Sequence, residues 1–354
     1  MRKKIIAGIA LLGRKKNIVA LALLALVAPF VSSVSASHFA SAAQPPARNT
    51  GAASAAAAFP AAIPAAANGC DRDCLDGFLD QYMKALVAKD PSSLPLASTV
   101  KFTENNVVMK VGDGLWNTIS GVGPAQLEFA DTKNGEAGLL GVVRETHANS
   151  PFALRLKVKG GKITEIETIV ARPPAGATPV AGLDEYPDKQ VLKDVLAPAE
   201  RSSREKMIAL VDGYFDTLQQ NNGTLHTDFD PDCNREENAM RSTNNPTYHV
   251  FPVTNLGCAD QFKMGYFLYD DRVRDRRFPL VDEERGLVFA AMFIDHSGKL
   301  AHYKMTDGRE LDSPMRTPSS LAILELFKIK NGKLLQIEAV MAGVPYNMPP
   351  VWGN

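Results

Sequence analysis

An internal repeat limits what this chain can fold into more than any other feature of its sequence. Residues 78–90, "FLDQYMKALVAKD", align without a gap with residues 210–222, "LVDGYFDTLQQNN", and place Tyr82 on Tyr214. Both stretches carry apolar residues at intervals of three and four, the spacing of one face of an α-helix. Polar, Gly and Pro residues follow in "KDPSS" and "NNGT", and they predict where each helix ends. The chain is therefore expected to contain one helix-led unit twice.

A second match lies near the end of each copy. Residues 156–171, "LKVKGGKITEIETIVA", align with residues 327–342, "FKIKNGKLLQIEAVMA", and place Glu167 on Glu338. Each stretch alternates apolar and polar residues on both sides of a Gly-Gly or Asn-Gly pair, a pattern that predicts a β-hairpin with a two-residue turn. Each copy is therefore expected to end in a hairpin of two long strands.

A weaker match lies between these two. It places residues 136–143 on residues 284–291 at an offset of 148, whereas the helices are offset by 132 and the hairpins by 171. The rising offset means that the second copy carries extra residues before and after this middle strand. Such insertions are expected to be loops, which often carry function.

The order of a helix, a short helical segment and long strands resembles the cone-shaped nuclear-transport-factor-2-like fold, whose enzyme branch is called SnoaL-like. The resemblance rests on the helix register and the hairpins, and it covers residues 70–172 and 200–345. It implies an α+β protein of two tandem cone-shaped units, each an amphipathic helix packed on a curved antiparallel sheet. The second half, with "DCNREENA", "RDRRFPLVDEERGLVF" and "PYNMPPVW", also resembles an uncharacterised family of secreted fungal and bacterial proteins.

The first resemblance also implies a kind of function. Folds of this kind form a pocket between the helices and the sheet, and relatives use it for acid–base chemistry without an organic cofactor. The expected ligand is a small, largely apolar organic molecule, and the expected reaction is of the lyase or isomerase type. The fold also serves for binding or dimerisation alone, so a non-catalytic secreted ligand-binding protein and a homo-oligomer stay open.

The beginning of the chain reads as an export signal rather than as part of a domain. Basic residues, a 14-residue apolar run from Ile18 and small-residue cleavage motifs follow one another. An uncleaved membrane anchor is the alternative, although the run is shorter than the ~20 residues of a span. The predicted organisation is a signal peptide (1–42), an Ala/Pro-rich tether (43–68), a first unit (69–175), a linker (176–199) and a second unit with a C-terminal tail (200–354).

Export to an oxidising compartment favours disulfides for the four cysteines. Three connectivities are available, and the local pairs Cys70–Cys74 and Cys233–Cys258 are preferred because each lies within one unit. A metal site is not expected, since the cysteines and histidines lack zinc-ligand spacing. The 39 basic and 39 acidic residues balance, which argues against a nucleic-acid partner.

Four side chains of the second unit are candidate acid–base residues. His296 is the first, because histidine is the side chain whose ordinary pKa lies nearest to neutral pH, and its strand neighbour Asp295 must point to the opposite face. His226 follows the second helix, where the resemblance places pocket residues. Tyr214 lies on the apolar stripe as a pocket hydroxyl or as a core tyrosine. Glu338 is a buried acid with a raised pKa if its sheet face is concave, and an exposed strand residue if that face is convex.

Four other residues are candidate ligand contacts. Arg235 and Asn238 lie beside the expected Cys233 crosslink, in a segment that reads as a pocket lid or as an exposed loop. Arg276 and Arg277 belong to "RDRRFPLVDEERG", which carries four basic and four acidic residues and is expected to be a loop at the pocket rim. Its arginines are expected to pair with Asp282, Glu283 or Glu284 across the "FPLV" bend and to fix the loop.

Overall fold

The computed structural model describes residues 70–174, 182–248 and 251–353, and both the expected signal peptide and the tether lie outside these residues. The first unit begins with helix α1 (Arg72–Ala88), a 3₁₀ turn (Pro91–Ser93), strand β1 (Leu96–Glu104), strand β2 (Val107–Met109) and helix α2 (Leu115–Thr118). Four long strands follow: β3 (Ile119–Asp131), β4 (Glu136–Glu145), β5 (Ala148–Lys159) and β6 (Lys162–Val170).

A connecting segment leads to the second unit. It contains two 3₁₀ turns (Leu183–Glu185 and Pro198–Glu200) and helix α3 (Gln190–Lys193). The second unit then has α4 (Arg204–Gln220), β7 (Phe229–Glu237), β8 (Met240–Arg241), α5 (Cys258–Lys263), β9 (Arg272–Asp282), β10 (Leu287–His296), β11 (His302–Lys304), β12 (Glu310–Asp312), β13 (Ser319–Lys330) and β14 (Lys333–Val344).

The two units share one sheet topology. The strand order is β2-β1-β6-β5-β4-β3 in the first and β8-β7-β14-β13-β10-β9 in the second. Neighbours are antiparallel except for β1 with β6 and β7 with β14, which are parallel. The expected tandem of α+β units is therefore confirmed, but each sheet is mixed rather than wholly antiparallel, because its first long strand pairs with its last.

The strand registers correct the weaker of the sequence matches. Glu136 pairs with Lys157, and Leu287 pairs with Lys328. The hairpin match places Lys157 on Lys328. Glu136 is therefore equivalent to Leu287, three residues beyond the position that the offset of 148 predicts. A shift by an odd number of residues would exchange the two faces of the strand, so buried faces and not letter similarity set this register.

Each long helix covers one face of its own sheet, which we call the inner face. In the first unit the helix side of the core is formed by Leu75, Phe78, Leu79, Tyr82, Met83 and Leu86. In the second unit the corresponding side chains are Met207, Leu210, Val211, Tyr214, Phe215 and Leu218. Both helices begin at a capping side chain, Asp71 and Ser203, and both end at a residue with positive φ, Lys89 and Asn221.

The opposite faces of the two sheets pack against each other and form a third core. Leu127, Phe129, Leu140, Ala153 and Ile169 of the first unit join Leu280, Leu287, Phe289, Leu324 and Val340 of the second. At its centre the rings of Phe129 and Phe289 meet edge to face at 5.0 Å. The connecting segment adds Tyr186 and Leu192 to this inter-unit face.

The segment "RDRRFPLVDEERG" is not a loop, and the prediction of a self-paired clasp is wrong. Most of it is strand β9, which pairs with β10 at the edge of the sheet. Arg276 is bonded to Asp212 and Asp216 of α4, and Arg277 to Glu167 of the first unit. Strand geometry sends neighbouring side chains to opposite faces, so these arginines find partners on other elements.

The acidic end of this segment also bonds across the units. Asp282 accepts two hydrogen bonds from Arg72 at 2.8 and 3.0 Å, and Glu284 accepts one from the same guanidinium at 3.2 Å. Arg204 in turn donates to Asp131 at 2.8 Å. Charged pairs from β9, from the turn after it and from α4 therefore connect the two units.

The cysteines pair in the way that the sequence favoured. Cys70 is bonded to Cys74 and Cys233 to Cys258, so both disulfides are local. None of the helices in the described part of the chain combines the length and hydropathy needed to cross a membrane.

Candidate functional site

The inner face of the second unit carries a cluster of buried polar side chains around Arg235. Its guanidinium donates from Nη2 to Glu237 at 2.7 Å and from Nη1 to Gln261 at 3.1 Å. It also lies over the rings of Phe262 and Phe267, at 4.9 and 5.1 Å from their centres. Arg235 is 4% exposed, so this charge is held almost entirely by protein groups.

The orientation of Arg235 is set by a second layer of contacts. The amide of Gln261 donates to the carbonyl oxygens of Ser242 and Val253, which leaves its Oε1 to accept from Arg235. The Cys233–Cys258 disulfide ties β7 to α5, the two elements that carry Arg235 and Gln261. The guanidinium is therefore fixed before any ligand arrives, although its Nε atom is buried without a hydrogen-bond partner among the described residues.

Glu325 lies beside this guanidinium on β13. The Tyr214 hydroxyl donates to its Oε1 at 3.3 Å. Burial raises the pKa of Glu325 to about 8, and the charge of Arg235 opposes that rise. Burial likewise raises the pKa of Tyr214 well above its ordinary value. At neutral pH the cluster therefore holds a protonated carboxyl group and a protonated phenol next to one fixed cation.

A second polar pair, Asp270 and His296, lies on the same face. The Nε2 atom of His296 is 2.8 Å from Oδ1 of Asp270, and both side chains are buried. The Nδ1 atom of His296 is buried without a partner among the described residues. Burial raises the pKa of Asp270, and the charges of Glu237 and Arg235 also act on it, which places the pair close to the Arg235 cluster.

Aromatic rings connect the two polar groups. The ring centre of Tyr269 lies 6.1 Å from that of the His296 imidazole and 6.1 Å from that of Tyr303, and Tyr269 meets Tyr266 edge to face at 5.7 Å. Tyr266 in turn meets Phe267, whose ring packs against the Arg235 guanidinium. Burial raises the pKa of Tyr266 to about 12, so the wall of this region is neutral and largely apolar.

The first unit has no such cluster at the equivalent positions. Phe102 pairs with Ile166, and Arg235 pairs with Ile337. Since the hairpin match places Ile166 on Ile337, Phe102 occupies the position that Arg235 has in the second unit. Leu154 likewise stands where the second unit has Glu325. The inner face of the first unit is therefore apolar at the two positions that carry charge in the second.

The structure brings three of the eight candidate residues together: Tyr214, Arg235 and His296. Asp295 points away from them, toward Arg272 and Arg274, as strand alternation requires.

Two other candidates lie elsewhere. His226 is exposed after α4, with its backbone against Gly213. Asn238 has positive φ and exchanges hydrogen bonds with the backbone of Met341, so it continues the edge of the sheet.

Glu338 lies on the inter-unit face and is nevertheless fully buried. The connecting segment covers it, and Lys189 lies 3.0 Å from its Oε1 and 2.6 Å from Glu236. Burial raises the pKa of Glu338 to about 8. Glu338 is thus the buried acid with a raised pKa that one alternative from the sequence describes, but it lies on the inter-unit face, and the segment that buries it belongs to neither sheet.

Four residues of the site were not found from the sequence: Glu237, Gln261, Asp270 and Glu325. Glu325 had a usable signal, because it is a lone acid in the apolar run "LAILELFKI" that predicts a strand. Gln261 and Asp270 lie in the extra residues of the second copy, where no repeat guides the alignment. Within the described residues, no group of three or more His, Cys, Asp or Glu side chains could hold a metal ion.

Residues 200–341 match a family described as "Domain of unknown function (DUF8021)". A search of curated proteins found no match.

Among solved structures, an NTF2-like protein of unknown function from Cytophaga hutchinsonii is 10% identical, with 28% of this chain and 90% of that chain covered and a TM-score of 0.24. A protein with a ketosteroid isomerase-like fold from Catenulispora acidiphila, solved with trimethylamine, is 13% identical, with 26% and 82% covered and a TM-score of 0.21. A protein from Sphaerobacter thermophilus is 15% identical, with 29% and 99% covered and a TM-score of 0.25.

The strand order and the helix that precedes it define the class. Each unit has the helix and the mixed six-stranded sheet that the resemblance to the nuclear-transport-factor-2-like fold implies, and the two units are arranged in tandem in one chain.

Proposed function

We propose that the second unit binds a small, largely apolar organic molecule on its inner face and catalyses acid–base chemistry of the lyase or isomerase type without an organic cofactor. One observation carries the proposal. His296 is fixed by Asp270 through Nε2, while its other ring nitrogen is buried and has no partner in the part of the chain that the structure describes. A buried nitrogen without a partner is costly unless a ligand or water uses it.

The chemistry follows from the hydrogen bond. When Nε2–H donates to Asp270, the neutral imidazole presents the lone pair of Nδ1, the form in which histidine acts as a general base. His296 would take a proton from a carbon beside a carbonyl group. Returning that proton to another carbon of the ligand completes an isomerisation. Expelling a hydroxide as water with the same proton completes a dehydration.

The surroundings of the pair support a largely apolar ligand. Tyr269, Tyr303, Tyr266 and Phe267 form the wall between His296 and Arg235. Small-molecule sites commonly combine such a wall with a few polar groups that orient the ligand. The site of reaction is therefore assigned to the second unit, and the first unit has a structural role.

The test measures proton exchange in D₂O by NMR, with a panel of cyclic and aryl ketones as carbon acids. The wild-type protein should catalyse exchange of the protons beside the carbonyl of a bound ketone, and His296→Gln should lower the rate on the order of 100-fold or more. His226→Gln is the matched control, because it changes an exposed histidine of the same unit and should leave the rate unchanged. Equal rates in wild type and His296→Gln would overturn the assignment.

The second candidate is a binding protein that does not alter its ligand. The neutral tyrosine wall favours it, since burial raises the pKa of Tyr269 and Tyr303 as well as that of Tyr266. Ketone binding by the wild-type protein without any proton exchange would select this alternative.

We also propose that the chain acts outside the cytoplasm, after cleavage of residues 1–42. Two disulfides support this, because stable disulfides are typical of oxidising compartments. Mass spectrometry of the mature protein from culture medium or periplasm tests the proposal, and a mature chain that retains its first residues would contradict cleavage.

A further inference from the structure

A cavity of about 590 Å³ opens between the two units, and none of the acid–base residues described above lines it. Its volume lies within the range of sites that bind small molecules. The first unit, the edge strand β9 and the segment after β14 each supply part of the wall, including Lys101, Arg155, Arg277, Phe278 and Trp352. The cavity is therefore a second place where this protein can hold a ligand.

Strand β9 carries an extra residue where it borders this cavity. Arg274 pairs with Phe293 and Arg277 pairs with Ala291, so three steps along β9 match two steps along β10. Such a bulge bends a strand and re-aims its side chains, and bulges are common next to functional sites. Here Arg276 bonds within the second unit and Arg277 bonds to the first, yet both line the same cavity.

The buried charges beneath the cavity satisfy one another. Arg155 is 2% exposed and donates to three carboxylates at 2.7 to 3.0 Å, those of Glu136, Glu165 and Glu167. Lys157 lies 3.0 Å from Glu136, and Arg277 bonds to Glu167. Three cations therefore meet three carboxylates, and this network holds no surplus charge for a ligand.

Lys101 adds one cation to this balanced network. Its ammonium group donates to the carbonyl oxygen of Val351 and lies 4.2 Å from the ring centre of Trp352. Among the described residues, the ion pairs around the cavity do not include Lys101. A carbonyl oxygen and an aromatic ring attract a cation without neutralising it, so the wall of the cavity favours an anion here.

Arg277 supplies further donors on the opposite wall. Its Nη2 atom donates to Glu167, whereas Nε and Nη1 have no hydrogen bond to the described residues. These N–H groups suit a carboxylate, which a guanidinium binds with defined geometry. Arg276 is paired with Asp212 and Asp216, but those side chains are 48% and 45% exposed, so solvent screens their charge from the cavity.

The rest of the second unit's wall is apolar. Ile208, Phe278 and Pro279 line it, and Phe278 is held by stacking on Phe215 at 6.1 Å. Glu165 also lines the cavity, and its partly exposed carboxylate opposes a second negative charge on a ligand. The surroundings therefore suit a single negative charge joined to an apolar body.

We propose that the cavity between the units is a binding site for a small organic monocarboxylate with an apolar body. The carboxylate lies between Lys101 and Arg277, and the apolar body packs on Ile208 and Phe278. This site is distinct from the inner face of the second unit, and it does not depend on the acid–base chemistry proposed there.

Three matched probes test the proposal. They are 3-phenylpropionate, its neutral amide 3-phenylpropionamide, and propionate, which lacks the aromatic body. The wild-type protein should bind 3-phenylpropionate more tightly than either of the others, by on the order of tenfold, because each of them loses one of the two kinds of contact. Calorimetry measures binding, and added salt should weaken the binding of the acid and not that of the amide.

A charge-removing variant places the ligand. Lys101→Gln keeps a donor for Val351 but removes the charge, so it should lower the affinity for 3-phenylpropionate on the order of tenfold and leave that for the amide unchanged. Lys299→Gln is the matched control, because Lys299 is exposed and does not line the cavity. Circular dichroism checks that each variant is folded.

Two results would overturn the proposal. The first is equal affinity of the wild-type protein for the acid and the amide, a comparison that needs no variant to fold. The second is unchanged acid binding in folded Lys101→Gln together with a loss in His296→Gln, which would place the acid on the inner face instead.

Discussion

Phe102 of the first unit and Arg235 of the second occupy the same position in the repeated sheet, each paired with an isoleucine of the neighbouring parallel strand. One copy thus fills this place with an apolar ring and the other with a buried guanidinium. The phenylalanine needs no partners, whereas the guanidinium requires Glu237 and Gln261 around it. The second unit therefore buries a polar group that packing alone does not require. Buried polar groups of this kind are typical of functional sites.

Truncation of Arg235 should be strongly destabilising. Arg235→Met should lower the free energy of unfolding by about 3 kcal/mol or more, because it leaves Glu237 and Gln261 without their buried partner. Urea denaturation measures the change. Arg309→Met is the control, since Arg309 forms an exposed pair with Asp307 and should change stability by less than about 1 kcal/mol. Equal effects of the two substitutions would contradict the buried cluster.

Arg277→Ala should destabilise the protein by about 2 kcal/mol or more without changing ligand affinity. Arg277 bonds to Glu167 of the first unit, and both side chains are buried or nearly so, at 13% and 8% exposure. It lies outside the inner face of the second unit, so its loss acts through the contact between units. Thermal unfolding and binding of the ketone panel are measured on the same samples. The control is Arg316→Ala, which removes an exposed pair with Asp312. A variant that keeps its melting temperature and loses binding would show that Arg277 contacts the ligand.

Stability should fall as pH rises from about 5 to 8. Burial raises the pKa of Glu325 and Glu338 to about 8 and that of Glu128 to about 7. A carboxyl group whose pKa is raised in the folded state binds more protons when the protein is folded. Folding therefore becomes less favourable as the pH rises from the pKa of the unfolded state, about 4.3, through the pKa of the folded state. Urea unfolding at pH 5, 6.5 and 8 should show the decrease, and Glu338→Gln should reduce its slope. A free energy of unfolding that is constant or rises over this range would contradict the raised values.

The opposite dependence should appear in acid. Although burial opposes it, hydrogen bonds from Arg274, Ser320 and Arg272 lower the pKa of Asp295 to about 2. A lowered carboxyl pKa contributes stability above the unfolded value of about 3.9, and that contribution is lost as pH falls toward 2. Stability should therefore be highest near pH 4 to 5. Asp295→Asn should reduce the acid dependence at a cost in stability at pH 5, and an unchanged acid limb would contradict this role.

The two disulfides should differ in what they support. By chain entropy, the Cys233–Cys258 crosslink, with a separation of 25 residues, contributes about 3 kcal/mol and the Cys70–Cys74 crosslink, with a separation of 4, about 2 kcal/mol. Replacing Cys233 and Cys258 by serine should also weaken ketone binding, because the Cys233–Cys258 crosslink holds β7 and α5 around Arg235. Replacing Cys70 and Cys74 should leave binding unchanged. Equal losses of binding in the two double variants would contradict this division.

The sequence by itself determined the features that depend on local periodicity. The helical spacing of apolar residues predicted α1 and α4, the alternation around Gly-Gly and Asn-Gly predicted the closing hairpins, and the two gapless matches predicted a tandem α+β fold. The division into two units favoured the local disulfides, since each pair lies within one unit. Each of these rests on residues close together in the chain, where spacing alone sets which side chains share a face.

Only the tertiary structure decided which faces are buried and which charges meet. Arg277 finds its partner Glu167 in the other unit, Glu338 is buried by a segment outside both sheets, and Glu136 is equivalent to Leu287 through strand pairing rather than through letter similarity. The site has the same origin. Arg235, Gln261, Glu325 and His296 come from four elements that are distant in the chain. Burial between the helices and the sheet raises the pKa of Glu325 and leaves Nδ1 of His296 without a partner among the described residues. Neither of these is a property of any residue in isolation.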